Sequence, residues 1–352
     1  MRRGLIAWSR TELPEAALDA RVERVRTALA ASGLDALAVY TNNTQPAGVS
    51  WLCGFVPYWS EAMLVLTRDG APRLVAALSK RVRFWIEATS RIAEVVSAAR
   101  IGTAAGQLAV ASGAGRVGVA GLDTLPAGIA ADMRAAGATL VDVTALFAQL
   151  RGRADPAEVA LAAHAGAIAH AALTLASRPA ADANAAIAAV EEAARQEGAE
   201  ECYVAIAPDL ARGRPMVRLE GRAPLGARFA IRATVAYKGA WVRAARTVFR
   251  DRGESTLALR AAERLAAAVA VLPDARGFDG FRSWLVEGCR VAQPLAPLMG
   301  SRLDVPVLPG AAALVSVQAC LDIDGGPVML GAPALIGDAG EAAGFLVPPV
   351  YA

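Results

Sequence analysis

Hydrophobic positions recur with two different periods along this chain, and the switches between them mark its elements. Over residues 20–32, ARVERVRTALAAS, Val22, Val25 and Leu29 repeat at helical spacing, and Gly33 follows as a closing residue. This predicts an amphipathic helix. The run LDALAVY then predicts a buried strand. After GVSWLCGF (48–55), the segment AMLVLTRDGAPRLVA (62–76) predicts a hairpin with Asp69-Gly70 at its turn. RVGVAG predicts a further short strand and LPAGIAADMRAAG a helix. Strands therefore alternate with helices to about residue 148, which is an α/β pattern.

A second pattern starts at LRGRADPAEVALAAHAGAIAHAAL. Asp155-Pro156-x-Glu158 is a helix start: an N-cap aspartate, proline at the first helical position and an acid in the first turn. A boundary is placed here, giving domains at 1–150 and 151–352. ANAAIAAVEEAARQEG predicts a second helix. Strands follow through Val204–Ile206 and a hairpin over Gly226–Phe249. Residues 254–271 and 276–287 read as two more helices. The run from Leu308 to Gly337 reads as strands joined by Asp324-Gly325-Gly326. A helix pair followed by strands, occurring twice, suggests a duplicated half.

Length and charge narrow the function classes. A chain of 352 residues carries a prior of two domains, and 55% hydrophobic residues supply ample core. The net charge is +3 with no lysine/arginine run, so no nucleic-acid partner is expected. Cys53, Cys202, Cys289 and Cys320 are scattered and form no C-x-x-C pair, as in proteins of a reducing compartment. The opening MRRGLIAWSR lacks a long apolar stretch, and runs such as 311–321 are too short to span a bilayer. The expectation is a cytoplasmic protein with no membrane partner.

The chemistry concentrates in GARFAIRATVAYKGAWVRAARTVF (226–249). This stretch resembles the central hairpin of the creatinase/prolidase/aminopeptidase P family, the pita-bread enzymes, with Gly226, Ile231, Tyr237, Gly239, Arg246 and Thr247 in register. RVERVRTALAASGLDALAVYTNNTQPAGVSWLCGF resembles the opening of the family's N-terminal domain, ending in its characteristic Trp51-Leu52-Cys53-Gly54-Phe55. LFAQLRGRADPAEVALAAHAGAIAHAAL resembles its interdomain segment. The resemblance implies an α/β creatinase-like N-terminal domain followed by an α+β pita-bread domain, and a dimer.

The same resemblance implies a metal site with two Asp, one His and two Glu. Here the two Asp positions carry Arg232 and Arg243, the His region 288–300 has no histidine, and the Glu positions carry Gln318 and either Leu330 or Gly331. A guanidinium has only donors and a fixed positive charge, so no metal and no other cofactor are expected. The histidine that creatinase uses would fall near 214–217, where there is none. His164 and His170, six apart on one predicted helix, read as ordinary helix residues.

Two readings of the arginines stay open. Forked guanidiniums suit a small anionic ligand, with Arg232, Arg243, Gln318 and Tyr203 as ligand-binding candidates. Alternatively, acids of the protein neutralise them, because unpaired buried cations are very costly. Arg246 and Tyr237 are expected to be structural at the site. Glu201 and Glu220 are the catalytic candidates, with Asp209, Asp322 and Asp324 as further acids. Cys202 and Cys289 lack a histidine to activate them and read as small buried hydrophobes. Trp51, Tyr58 and Trp59 read as core, though such domains often reach toward a neighbouring subunit.

Three functions follow. The first is a metal-free pseudoenzyme acting as a binding or partner subunit, a homodimer or a heterodimer with an active paralogue. The second is a metal-independent hydrolase or lyase acting on a C–N bond of a small carboxylated or amidino substrate. The third is an Xaa-Pro metallopeptidase whose ligands lie elsewhere.

Overall fold

The structure is a computed structural model. It describes residues 8–57, 60–92, 94–111, 113, 115–176, 180–212, 216–217, 221–250, 255–289, 301–305, 312–324, 326–337 and 343–349. The chain divides into two compact units, Met1–Arg151 and Gly152–Ala352.

In the first unit, α1 (Glu15–Ala31) buries Leu18, Val22, Val25 and Leu29, the stripe its spacing predicts. β1 (Ala36–Asn42) follows, then α2 (Ala47–Cys53). β2 (Glu61–Thr67) and β3 (Arg73–Ala76) form the expected antiparallel hairpin. The remaining elements alternate: α3 (Arg83–Thr89), β4 (Glu94–Ser97), α4 (Ile101–Ala111), β5 (Arg116–Ala120), α5 (Ala127–Ala135), β6 (Thr139–Asp142) and α6 (Thr144–Gly152). The sheet order is β4-β3-β2-β1-β5-β6, and apolar clusters cover both faces. β1 and β2 therefore read as continuous apolar runs rather than alternating ones.

In the second unit, α7 (Pro156–Leu175) starts on a complete capping box. The Asp155 side chain accepts from the Glu158 amide while Glu158 accepts from the Asp155 amide. By length and composition α7 could cross a membrane, but half of its apolar window is buried and it packs on a sheet with α8 (Ala183–Gln196). That sheet begins with β7 (Glu201–Ala207), β8 (Arg228–Tyr237) and β9 (Ala240–Phe249), an antiparallel meander. After α9 (Ser255–Ala270) come β10 (Phe281–Gly288), β11 (Ser301–Asp304), β12 (Ala313–Ile323), β13 (Gly326–Ile336) and the short β14 (Gly344–Phe345).

The expectation of a helix over 276–287 is corrected here. A 3₁₀ turn at Ala275–Phe278 and Gly280 at φ +80° end the helical path, and Phe281–Gly288 pairs with β12 as a strand. In this strand Leu285, Val286 and Glu287 are buried and Trp284 is partly buried. β10, β12 and β13 form a second antiparallel meander, so the sheet order is β11-β10-β12-β13-β9-β8-β7. The unit is thus two three-strand halves, β7–β9 and β10–β12–β13, each with helices on one face. They meet where β13 pairs with β9.

Candidate functional site

Strand alternation decides which side chains form the site. Ile231, Ala233 and Val235 of β8 join the core under α7 and α8, so Arg232 and Thr234 point to the opposite face. In β12, Val315, Val317 and Ala319 pack under α9, which sends Ser316 and Gln318 to that same opposite face. The pairing register then runs straight across the sheet: Ala205, Arg232, Ala245, Gly331, Gln318, Leu285.

Arg232 and Gln318 reach toward each other over the two small residues between them. Arg232 Nη1 donates to Gln318 Oε1 at 3.2 Å. Gln318 Nε2 donates to Glu287 Oε2 at 3.3 Å, and the same carboxylate oxygen lies 3.3 Å from Arg243 Nη1 as an ion pair. All four residues are at most 2% exposed. Gly331 has to be glycine at this crossing: a Cβ there would stand 2.6 Å from the Val317 carbonyl and 3.0 Å from Gln318 Cγ.

Electrostatics follow from that burial. Desolvation pulls the Arg232 guanidinium down to about 10, neighbouring Arg243 adds to the effect, and Glu287 opposes it. Burial likewise lowers Arg243, with Glu287 and then Cys289 acting against it. Around the quartet, the Arg243 amide donates to Ser316 Oγ at 2.9 Å, and Cys289 Sγ lies 3.6 Å from the same hydroxyl.

The other predicted residues fall in different places. Tyr203 and Glu201 lie on β7, on the arginine face, and the Tyr203 hydroxyl donates to the buried Glu201 carboxylate. The Tyr203 ring stacks with Trp241 at 6.1 Å. Tyr203, Thr234 and Arg243 form the row of the sheet next to that of Arg232. Arg246 points the other way and donates to the Leu173 carbonyl of α7 at 3.2 Å; burial draws it down to about 10. Tyr237 contacts the His164 ring at 4.4 Å, and His170 meets the Pro348 carbonyl at 3.3 Å. Asp209, Asp322 and Asp324 pair with Arg212, Arg282 and Arg260, and the last two pairs are exposed. Glu220, Tyr58, Trp59 and the stretch 290–300 lie outside the described residues. Among the described residues, no group of three or more His, Cys, Asp or Glu side chains is placed to hold a metal ion.

Glu287 is the principal residue that sequence reasoning missed. Reading 276–287 as a helix hid its strand position. Its signal was available in WLVEG, an acid inside an apolar run closed by glycine.

Comparison with known proteins bears on this arrangement. Residues 21–152 match the creatinase/prolidase N-terminal domain. The chain resembles the creatinase/prolidase family. Solved structures share the fold along nearly all of it. An Xaa-Pro dipeptidase from Bacillus anthracis has TM-score 0.70 at 17% identity, over 94% of this chain and 97% of that one. A prolidase from Pyrococcus horikoshii gives 0.70 at 17%, over 93% and 97%. An X-Pro aminopeptidase from Thermotoga maritima gives 0.70 at 16%, over 93% and 97%. Identities this low speak to the fold. No curated protein matches the chain in a search by sequence. The creatinase-like first unit and the pita-bread second unit expected from the resemblance are both present.

Proposed function

We propose that this chain is a metal-free, non-catalytic relative of the prolidases that works as a binding or partner subunit. The observation that carries the reading is the buried ion pair between Arg243 and Glu287, tied through Gln318 to Arg232. By the hairpin's resemblance to the family, positions 232 and 243 are those where metal-binding members carry carboxylates, and here they present two guanidiniums. The Glu287 carboxylate and the Gln318 amide oxygen beside them are already engaged. A hard divalent cation needs several oxygen donors and no adjacent cations, so this set does not fit one. A protein acid answers Arg243, which favours internal neutralisation over an anionic ligand as the main role of that arginine.

The partner would be a second copy of the chain or an active paralogue, and the setting a cytoplasmic one. Four buried free cysteines support the reducing environment. Native mass spectrometry of the protein from its own cells tests the reading. A stoichiometric heterodimer with a ligand-bearing homologue, or a homodimer without added mass, is the expected result. Turnover of Xaa-Pro dipeptides in the presence of Mn²⁺ or Zn²⁺ would overturn it.

A metal-independent hydrolase or lyase is the second reading, favoured by one observation. The buried Glu201 carboxylate, hydrogen-bonded by Tyr203, shares the face and the neighbouring row of Arg243. It predicts turnover of a carboxylated substrate that survives chelators and is lost in Glu201→Gln. A broad panel without turnover removes it.

A further inference from the structure

The two half-sheets of the second unit are joined by very little backbone. β8 and β9 pair over ten positions, from Arg228↔Phe249 to Tyr237↔Ala240, and β12 and β13 over eleven, from Ala313↔Ile336 to Ile323↔Gly326. Among the described residues, β9 and β13 share a single register pair, Gly331↔Ala245. Side chains do the joining instead. Thr247 Oγ1 donates to the Met329 carbonyl at 2.9 Å and accepts from the Met329 amide at 2.7 Å, satisfying both backbone groups that a ladder would have used. The Arg243 amide reaches Ser316 Oγ across the same seam. The four buried polar side chains link the halves twice more, Arg232 to Gln318 and Arg243 to Glu287.

We infer that Arg232, Arg243, Glu287 and Gln318 form a clasp that holds the two half-sheets in register at this seam, a role that needs no metal ion. The clasp puts two donors of the β7–β9 half against two acceptors of the other half. Gln318 relays between them, since its amide accepts from Arg232 and donates to Glu287. Small residues at 245 and 331 let the long side chains close over the strands. Every member is buried, so water cannot readily substitute for a lost partner, and removing one breaks a link across the seam in a dry environment. The inference rests on the metal-free part of the function proposed above and is independent of its non-catalytic part.

The test is thermal melting and hydrogen exchange on the full chain. Glu287→Gln should lower Tm by roughly 10 °C, because breaking a buried ion pair is strongly destabilising in a unit of this size. Amides in 240–249 and 326–336 should exchange about tenfold faster, with 61–76 in the first unit unchanged. The paired change Arg243→Met with Glu287→Leu should recover more than half of the lost Tm, since two apolar groups leave no orphan charge. Thr247→Val carries the test if Glu287→Gln does not fold, and should speed exchange in the same two segments. Wild-type melting of Glu287→Gln overturns the clasp, as does an exchange increase spread evenly over both units. A saturable rise in Tm with added Mn²⁺ or Zn²⁺, lost in Glu287→Gln, would make these residues a cation site instead. Peptidase turnover alongside the expected melting would leave the clasp standing and remove the non-catalytic reading.

Discussion

Among the described residues, the strands of the first unit bury two threonines, Thr41 and Thr67, and no charged side chain, whereas the strands of the second bury Glu201, Arg232, Arg243, Arg246 and Glu287. The first sheet is covered on both faces by apolar clusters. The second is apolar toward its helices, and its other face carries the polar network beside a smaller apolar cluster that includes Ala205, Leu285, Cys320 and Met329. A buried apolar residue needs only volume, whereas a buried charge needs a particular partner at a particular distance. The first sheet is therefore packed by interchangeable apolar contacts, and the second adds to such contacts a few that cannot be exchanged one at a time.

The largest effects should expose that difference. In urea denaturation, Leu64→Ala in the first sheet should cost about 2–5 kcal/mol as a cavity, and Glu287→Gln in the second about 3–5 kcal/mol as a broken buried ion pair. The sizes overlap, but only the second should be rescued by a change at its partner. If Arg243→Met does not improve Glu287→Gln, the contrast between the sheets fails. Gly331→Ala comes next, at about 1–3 kcal/mol, because a methyl group there pushes against both the β12 backbone at Val317 and the Gln318 side chain. An unchanged urea midpoint would mean the seam is looser than its distances show.

A smaller effect lies at the start of α7. Asp155→Ala should cost about 1 kcal/mol and Asp155→Asn much less, read as shifts in the same urea midpoint. The smallest effect is a pH slope. Burial raises Cys53 and Cys202 to about 12 and Cys320 to about 11. Thiols raised in this way stabilise the fold fully below the unfolded value of 9.0, and the contribution drains away as pH climbs toward 11–12. At pH 8 the folded chain should resist alkylation by iodoacetamide and react promptly once unfolded. Fast labelling of the native protein would show that these thiols are not sealed.

What the sequence disclosed follows the same division. α1, β1, the β2–β3 hairpin and the capping box of α7 were legible because each is specified by neighbours a few residues apart. Arg232, Arg243 and Gln318 could be singled out from the sequence through a hairpin and a strand that resemble the family's, and the structure brings them into one buried network. Glu287 could not be singled out, since its meaning depends on a strand assignment decided by β12, about thirty residues away. The direction of Arg246 toward α7 followed only from strand alternation once β9 was in place. Periodicity sees local order, and the site is assembled from non-local order.

The seam also sets a timetable. Both meanders close between consecutive or nearly consecutive strands, while Arg232–Gln318 spans 86 residues and Thr247–Met329 spans 82. Closing long loops is entropically expensive before any contact rewards it, so the halves should acquire their own order first and dock late. Interactions made after the rate-limiting barrier govern how quickly a protein comes apart rather than how quickly it forms. The buried charges would then act as a lock on the native lifetime of this unit, set after the folding path is already chosen.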